Sequence, residues 1–164
     1  MNNNSILQTI QFALHLETPH LEQIFALVNI KLEPNQLIGY FIDTRLEDYI
    51  ACPNNIVRAF LDGLILYKRG PSTKPLEEFS NLAITNNAVL KKLRIAMDFH
   101  EEDVRLVLER ARADVKNIDL SGIFRKEGHK NYKKCDDQVI IAFLIGIRLA
   151  IKKPVEQSAP TDPI

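Results

Sequence analysis

Apolar residues occupy nearly every side of one stretch of the chain, Cys52 to Gly70, where Ile56, Val57, Ala59, Phe60, Leu61, Leu64, Ile65 and Leu66 follow one another at helical spacing. Only Arg58 and Asp62 interrupt them with charge, four residues apart on one face. A helix apolar on all sides is predicted to be buried. Its ends are also marked. Pro53 falls where a first helical residue needs no N–H, Lys68 and Arg69 place cations in the last turn, and Gly70 lies just beyond. A second stretch of this kind, still richer in apolar residues, runs from Cys135 to Lys153.

The two stretches belong to two copies of one unit. Residues 4–69 match 87–152 at a constant shift of 83 without a gap, with about a dozen identities. Leu7 matches Leu90, Ala13 Ala96, Leu37 Leu120, Gly39 Gly122, Phe41 Phe124, Tyr49 Tyr132 and Cys52 Cys135. The densest agreement is Ala59, Phe60, Leu61, Gly63 and Leu66 with Ala142, Phe143, Leu144, Gly146 and Leu149.

Strand-like alternation is scarce in either copy, so the expected fold class is all-α, with four helices per repeat. The first helix is placed after Asn4 or Asn87 as N-cap, with Ile6, Leu7, Ile10, Ala13 and Leu14, or Val89, Leu90, Leu93, Ala96 and Met97, facing inward. The second opens at Thr18-Pro19 and buries Leu21, Ile24, Phe25 and Val28. In the other copy Glu101, Glu102 and Asp103 put carboxylates at that N-terminus, where the helix dipole favours them. The third starts near Pro34 or Asn117, and a polar connection through Tyr49 or Tyr132 leads into the central helix.

The resulting plan is a first helical repeat over 1–70, a linker over 71–84 that packs in part, a second repeat over 85–153, and a Pro-rich tail over 154–164 expected to be disordered. A unit of this size is marginal as a lone core. The two repeats are therefore expected to pack about a pseudo-twofold through their central helices, with Gly63 and Gly146 letting those helices approach each other closely.

Charge adds one distinction. Lys plus Arg equals Asp plus Glu over the 164 residues, so no global field gathers nucleic acid, membrane or an acidic substrate. The halves differ: residues 1–83 hold six Lys plus Arg against nine Asp plus Glu, and residues 84–164 hold fifteen against twelve. The longest stretch nearly free of charge, Val139 to Ile151, is broken by Arg148 and falls short of the ~20 residues of a membrane span. With no basic region ahead of an apolar run at the N-terminus and two cysteines in all, a cytoplasmic protein without membrane contact is expected.

The Cys52-Pro53-Asn54 and Cys135-Asp136-Asp137 turns, each running into Phe-Leu-x-Gly-(Leu/Ile) at Phe60 and Phe143, with Arg69-Gly70 at the first exit, resemble the bacterial YehS-like family. That family consists of two copies of a domain of unknown function. The resemblance covers 4–70 and 87–152; it implies a small bacterial cytoplasmic protein and brings no catalytic residues. The second copy departs from the pattern where Asp62 becomes Ile145 and Arg69-Gly70 becomes Lys152-Lys153. A ligand role for Asp62 or Arg69 would therefore exist in one half only.

What the copies share is apolar or small, apart from one Tyr, one Cys and one Asn, and agreement of that kind specifies packing rather than reaction. Four histidines, His15, His20, His100 and His129, stand at positions that do not correspond between copies, and no phosphate loop, zinc motif or Ser-centred turn occurs. No catalytic residue, cofactor or metal is expected. Cys52 and Cys135 precede the central helices, where helix N–H groups can activate a thiol; the plainer alternative is a small residue tucked at a helix start. Zinc needs two more ligands at unusual spacing, and a disulfide needs the pseudo-twofold to bring the two together.

The sharpest surface signal is Arg125 to Lys134, where Arg125, Lys126, Lys130, Lys133 and Lys134, with His129 and Tyr132, face one carboxylate, Glu127. The corresponding stretch of the first copy, Ile42 to Ala51, is net acidic. A phosphate-binding patch and a solvated loop balanced by Asp136 and Asp137 are the two readings. Helices two and three also have the cadence of a helix-turn-helix, but Pro34 to Phe41 carries no Arg or Lys to read a base. The function expected is a non-enzymatic helical interaction module with a protein partner, and the rival is a nucleic-acid binder using the Arg125 to Lys134 patch. A monomer with weak, salt-sensitive self-association between the acidic and basic loops is expected.

Overall fold

A computed structural model describes residues 1–76 and 78–151. Its helices are α1 (Asn3–Ala13), α2 (Thr18–Ala26), α3 (Pro34–Tyr40), α4 (Asn54–Arg69), α5 (Asn86–Ala96), α6 (Glu101–Arg110), α7 (Leu120–Ile123) and α8 (Asp137–Ala150), with one 3-10 turn at Val115–Asn117. Among the described residues there is no strand. The fold is all-α and made of two tandem helical repeats, as the sequence pattern predicts. The expected tail lies outside the described residues.

Helix starts differ in detail from the sequence expectation. The N-cap of α1 is Asn2, whose side chain accepts from Ser5 N–H at 2.8 Å, and that of α5 is Thr85, which accepts from Ala88 N–H at 3.2 Å. Asn4 and Asn87 are therefore not caps. They lie inside the first turn, nearly fully buried. Helix α2 is capped at Glu17, one residue earlier than Thr18, and the Glu17 N–H donates to His20 Nδ1 at 2.9 Å. Pro53 is the N-cap of α4 rather than its first helical residue. In the second repeat the third helix begins at Leu120 and not near Asn117, because Asp119 accepts from Gly122 N–H at 2.8 Å and fixes the start there.

The ends of the first two helices in each repeat share one device. His15, Asn29, Asp98 and Arg112 all take positive φ, between 53° and 58°. Asp98 stands 83 residues after His15, as Arg112 does after Asn29. Beyond each, an N–H reaches back five residues to a helix carbonyl: Leu16 to Gln11, Ile30 to Phe25, Phe99 to Arg94 and Ala113 to Leu108. Such left-handed C-caps satisfy carbonyls the helix leaves open, and are more often built on glycine.

The apolar faces meet in one core. Helix α4 packs on α2 of its own repeat and on α5 of the other; α8 packs on α6 of its own repeat and on α1 of the other. Exchanging the repeats maps each of these pairs onto its counterpart, which defines the pseudo-twofold. Union thus runs through the central helices, but not by their packing on each other. Each central helix instead meets the first helix of the opposite repeat. The two glycines serve a different contact from the one expected. A methyl at Gly63 would run into the Ile24 carbonyl on α2, and one at Gly146 into the Val107 carbonyl on α6. Phe60 and Phe143 are fully buried; Phe60 sits between Phe25 and Phe41 with ring centroids 5.7 and 5.6 Å away, and Phe143 meets Phe99 edge-on at 6.2 Å.

Candidate functional site

In each repeat the connection from the third helix to the central one is pinned at its base by a buried asparagine. Asn4 Nδ2 donates to the Gly39 and Ile50 carbonyls at 3.3 and 2.8 Å, and its Oδ1 accepts from Cys52 N–H at 2.9 Å. Asn87 Nδ2 donates to the Ile123 and Lys133 carbonyls at 2.9 and 2.7 Å, and its Oδ1 accepts from Cys135 N–H at 2.9 Å. A primary amide has two donor hydrogens and an acceptor oxygen, the set required to close three backbone groups that no helix satisfies. The glycine retained in each copy closes the same turn: Ile50 N–H donates to the Gly39 carbonyl and Lys133 N–H to that of Gly122.

This arrangement fixes the cysteines. Both are buried and free, with the Cys52 and Cys135 thiols 3.6 Å from the carbonyls of Pro53 and Asp136. Burial pushes both thiols up to about 12, with Asp136 and Asp137 adding to the rise at Cys135. Withdrawal from water outweighs any help from the helix N-terminus, so the neutral thiol is the species held. The histidines are engaged elsewhere. His15 Nδ1 lies 2.7 Å from Arg148, His20 caps α2, His100 N–H donates to Asp103, and His129 accepts from Asn131 N–H at 3.0 Å. Among the described residues no group of three His, Cys, Asp or Glu side chains is placed to hold a metal.

The sequence-predicted basic residues form the rim of the second repeat's loop. Arg125, Lys126, His129, Lys130, Lys133 and Lys134 are all exposed, and among the described residues none of these five Arg and Lys side chains lies in an ion pair. Its tip turns at Gly128, with φ of 92°. Beside the loop's start, a cleft of about 380 Å³ is lined by Arg69, Lys91, Arg94, Asp98, Phe99 and Phe124. The Arg94 guanidinium sits 4.5 Å from the Phe124 ring centre, while Arg69 is paired with Asp98 at 2.6 Å. Sequence reading missed Lys91 and Arg94 as neighbours of the basic loop; the signal was their replacement of Gln8 and Gln11. In the acidic loop of the first copy, Arg45 binds Asp43 through two nitrogens and holds its carboxyl below the usual range.

The outer faces of the central helices are unlike. On α4 the residues Arg58, Asp62 and Leu66, with Ile95 of α5, floor a cleft of about 1040 Å³ beneath the linker. Arg58 donates to the Leu82 and Ala83 carbonyls, both at 3.0 Å, and Asp62 pairs with Lys92. The matching residues in the second repeat are Ile141, Ile145, Leu149 and Phe12, which are 38, 48, 47 and 64% exposed. The expectation that an all-round apolar helix is fully buried therefore fails for α8.

The comparisons with known proteins find the same tandem arrangement of two matched segments. The family described as "Protein of unknown function (DUF1456)" matches residues 3–70 and again 86–152. The chain belongs to that family. It is 32% identical over 155 residues, 93% of this chain and 99% of the relative, to the "Uncharacterized protein YehS" of Escherichia coli (strain K12). No solved structure matches the chain. No helix of the described residues is long and apolar enough to cross a membrane.

Proposed function

We propose that the chain is a non-enzymatic helical interaction module of the cytoplasm whose partner is a protein. The observation that carries this reading is the exposed apolar group of Phe12, Ile141, Ile145 and Leu149, which in the first repeat is replaced by Arg58, Asp62, Leu66 and Ile95 beside the linker. Aligned apolar side chains on a water-facing helix are stable there at little gain unless something covers them. Pull-down from the source cell, with nuclease-treated and untreated lysate, tests it. Capture that survives nuclease and is lost with Ile145→Asp supports the reading; capture abolished by nuclease refutes it.

A second reading, binding of RNA or DNA, rests on the exposed cations from Arg125 to Lys134 and the adjoining Lys91 and Arg94. Phosphate contacts make affinity fall steeply with salt, whereas an apolar protein contact responds mildly. Nucleic-acid binding with a steep salt slope, lost in the triple variant Lys130, Lys133 and Lys134→Ala, would favour this reading over the first.

A further inference from the structure

We infer that the outer face of α8 is the seat of a second copy of this chain, paired through the same face in an isologous dimer. The inference rests on the protein-partner reading above and names its occupant. Comparison of the two repeats carries the argument. Over the first repeat the equivalent face is bridged at its Arg58 end by a segment of the chain itself, whose Leu82 and Ala83 carbonyls accept from the Arg58 guanidinium, and the cleft lies beneath it. Asn54 and Asn55 add hydrogen bonds to Asn81. An extended chain needs such donors, because its backbone groups are otherwise unpaired when covered.

In the second repeat Arg58 is replaced by Ile141 and Asp62 by Ile145. The guanidinium that α8 carries, Arg148, is committed: it donates to the Phe12 carbonyl at 2.5 Å, meets His15 Nδ1, and lies 4.1 Å from the Phe12 ring centre. The face that remains offers side-chain packing and little else. It suits an occupant whose backbone is already satisfied, namely a helix with an apolar ridge. Ile141, Ile145 and Leu149 are themselves such a ridge, spaced at four residues, and ridges of that spacing from two helices interdigitate. Face-to-face pairing of α8 with its copy makes the surface self-complementary, with Phe12 of each chain at its edge. A formal net charge of zero leaves no global repulsion between copies.

Sedimentation velocity on the full chain, at low and high salt, tests the inference with wild type, Ile145→Asp and Ile141→Arg; circular dichroism checks that both variants are folded. The expected result is a wild-type dimer at both salt concentrations and loss of the dimer in each folded variant. A wild type that is monomeric throughout overturns the inference, as does a dimer present only at low salt, which assigns association to the acidic and basic loops. A dimer unchanged in both variants also overturns it. A monomer whose capture of another protein is lost with Ile145→Asp gives the face to a foreign helix; it overturns the dimer while leaving the protein-partner reading in place.

Discussion

Asn4 and Asn87 stand at the same place in the two repeats, each closing three main-chain groups drawn from residues 35 to 48 positions further along the chain. Replacing either by leucine fills similar space but leaves a buried N–H without a partner, together with the Ile50 carbonyl in the first repeat, where Gly39 keeps its bond from Ile50 N–H, and the Ile123 and Lys133 carbonyls in the second. Each such group costs about 1–3 kcal/mol, partly relieved by relaxation, so Asn4→Leu and Asn87→Leu are each expected to lose about 2–4 kcal/mol in urea melts. Loss below that of an ordinary surface substitution would show that water replaces the amide.

Leu61 and Leu144 are buried at the heart of the two central helices. Truncation to alanine at either is expected to cost about 2–5 kcal/mol. Because the core is continuous across the repeats, both variants should melt in one transition rather than releasing one half first. Separate transitions seen by two spectroscopic probes would contradict a shared core.

Gly146 and Gly63 admit the α6 and α2 backbones against the central helices. Alanine raises intrinsic helix propensity, and at an open site would stabilise by up to about 1 kcal/mol. Here the methyl meets a carbonyl rather than a flexible side chain, so Gly146→Ala and Gly63→Ala are both expected to destabilise, by about 1–3 kcal/mol. A gain in midpoint denaturant concentration would reverse the assignment.

Both thiols have pKa values raised by burial to about 12. The unfolded chain releases these protons at the ordinary cysteine value, whereas the folded one retains them. Between the ordinary value and about 12 the unfolded state therefore binds fewer protons, and stability falls as pH rises. The contribution is absent below that window. Stability measured from neutral to alkaline pH should decline less steeply in Cys52→Ala/Cys135→Ala than in wild type, whatever the variant's loss at neutral pH. In the native protein both thiols should react with a thiol reagent far more slowly than after denaturation.

Arg112 holds a left-handed backbone without glycine's freedom, at the end of α6. Arg112→Gly relieves that conformation and is expected to stabilise by about 1 kcal/mol. Asp98→Gly, at φ of 55°, should gain less, because it also deletes the ion pair with Arg69. Equal gains at the two positions would mean that the ion pair contributes nothing.

Much of this fold is legible in the sequence because burial repeats with the copies. Leu7, Ile10, Ala13, Phe60 and Leu61 predict their counterparts, and helical spacing assigns their class. Asn4 is less legible: an asparagine near a helix start fits a cap equally well, and only the distant carbonyls of Gly39 and Ile50 distinguish the roles. The left-handed caps at His15, Asn29, Asp98 and Arg112 are hidden because no glycine marks them. Gly63 and Gly146 signal close approach, but spacing alone does not say which helix approaches. Apolar composition likewise concealed the open face of α8, since Ile141, Ile145 and Leu149 resemble core residues until their neighbours are known. The basic loop was readable from charge, whereas Lys91 and Arg94 joined it only through the packing of α5 beside α7.

The crossing of first helices between repeats bears on how such a chain could arise. A single repeat on its own would present a central helix lacking its cross-packed partner and a first helix lacking the surface it covers. Two identical single repeats would answer each other's deficit by exchanging those helices, as α1 and α5 do now. An ancestor of half this length would then have been an obligate pair, unfolding on dilution. Joining two such repeats through residues 71–84 would make the assembly independent of concentration. It would also leave the two outer faces free to differ, as Arg58 and Asp62 now differ from Ile141 and Ile145.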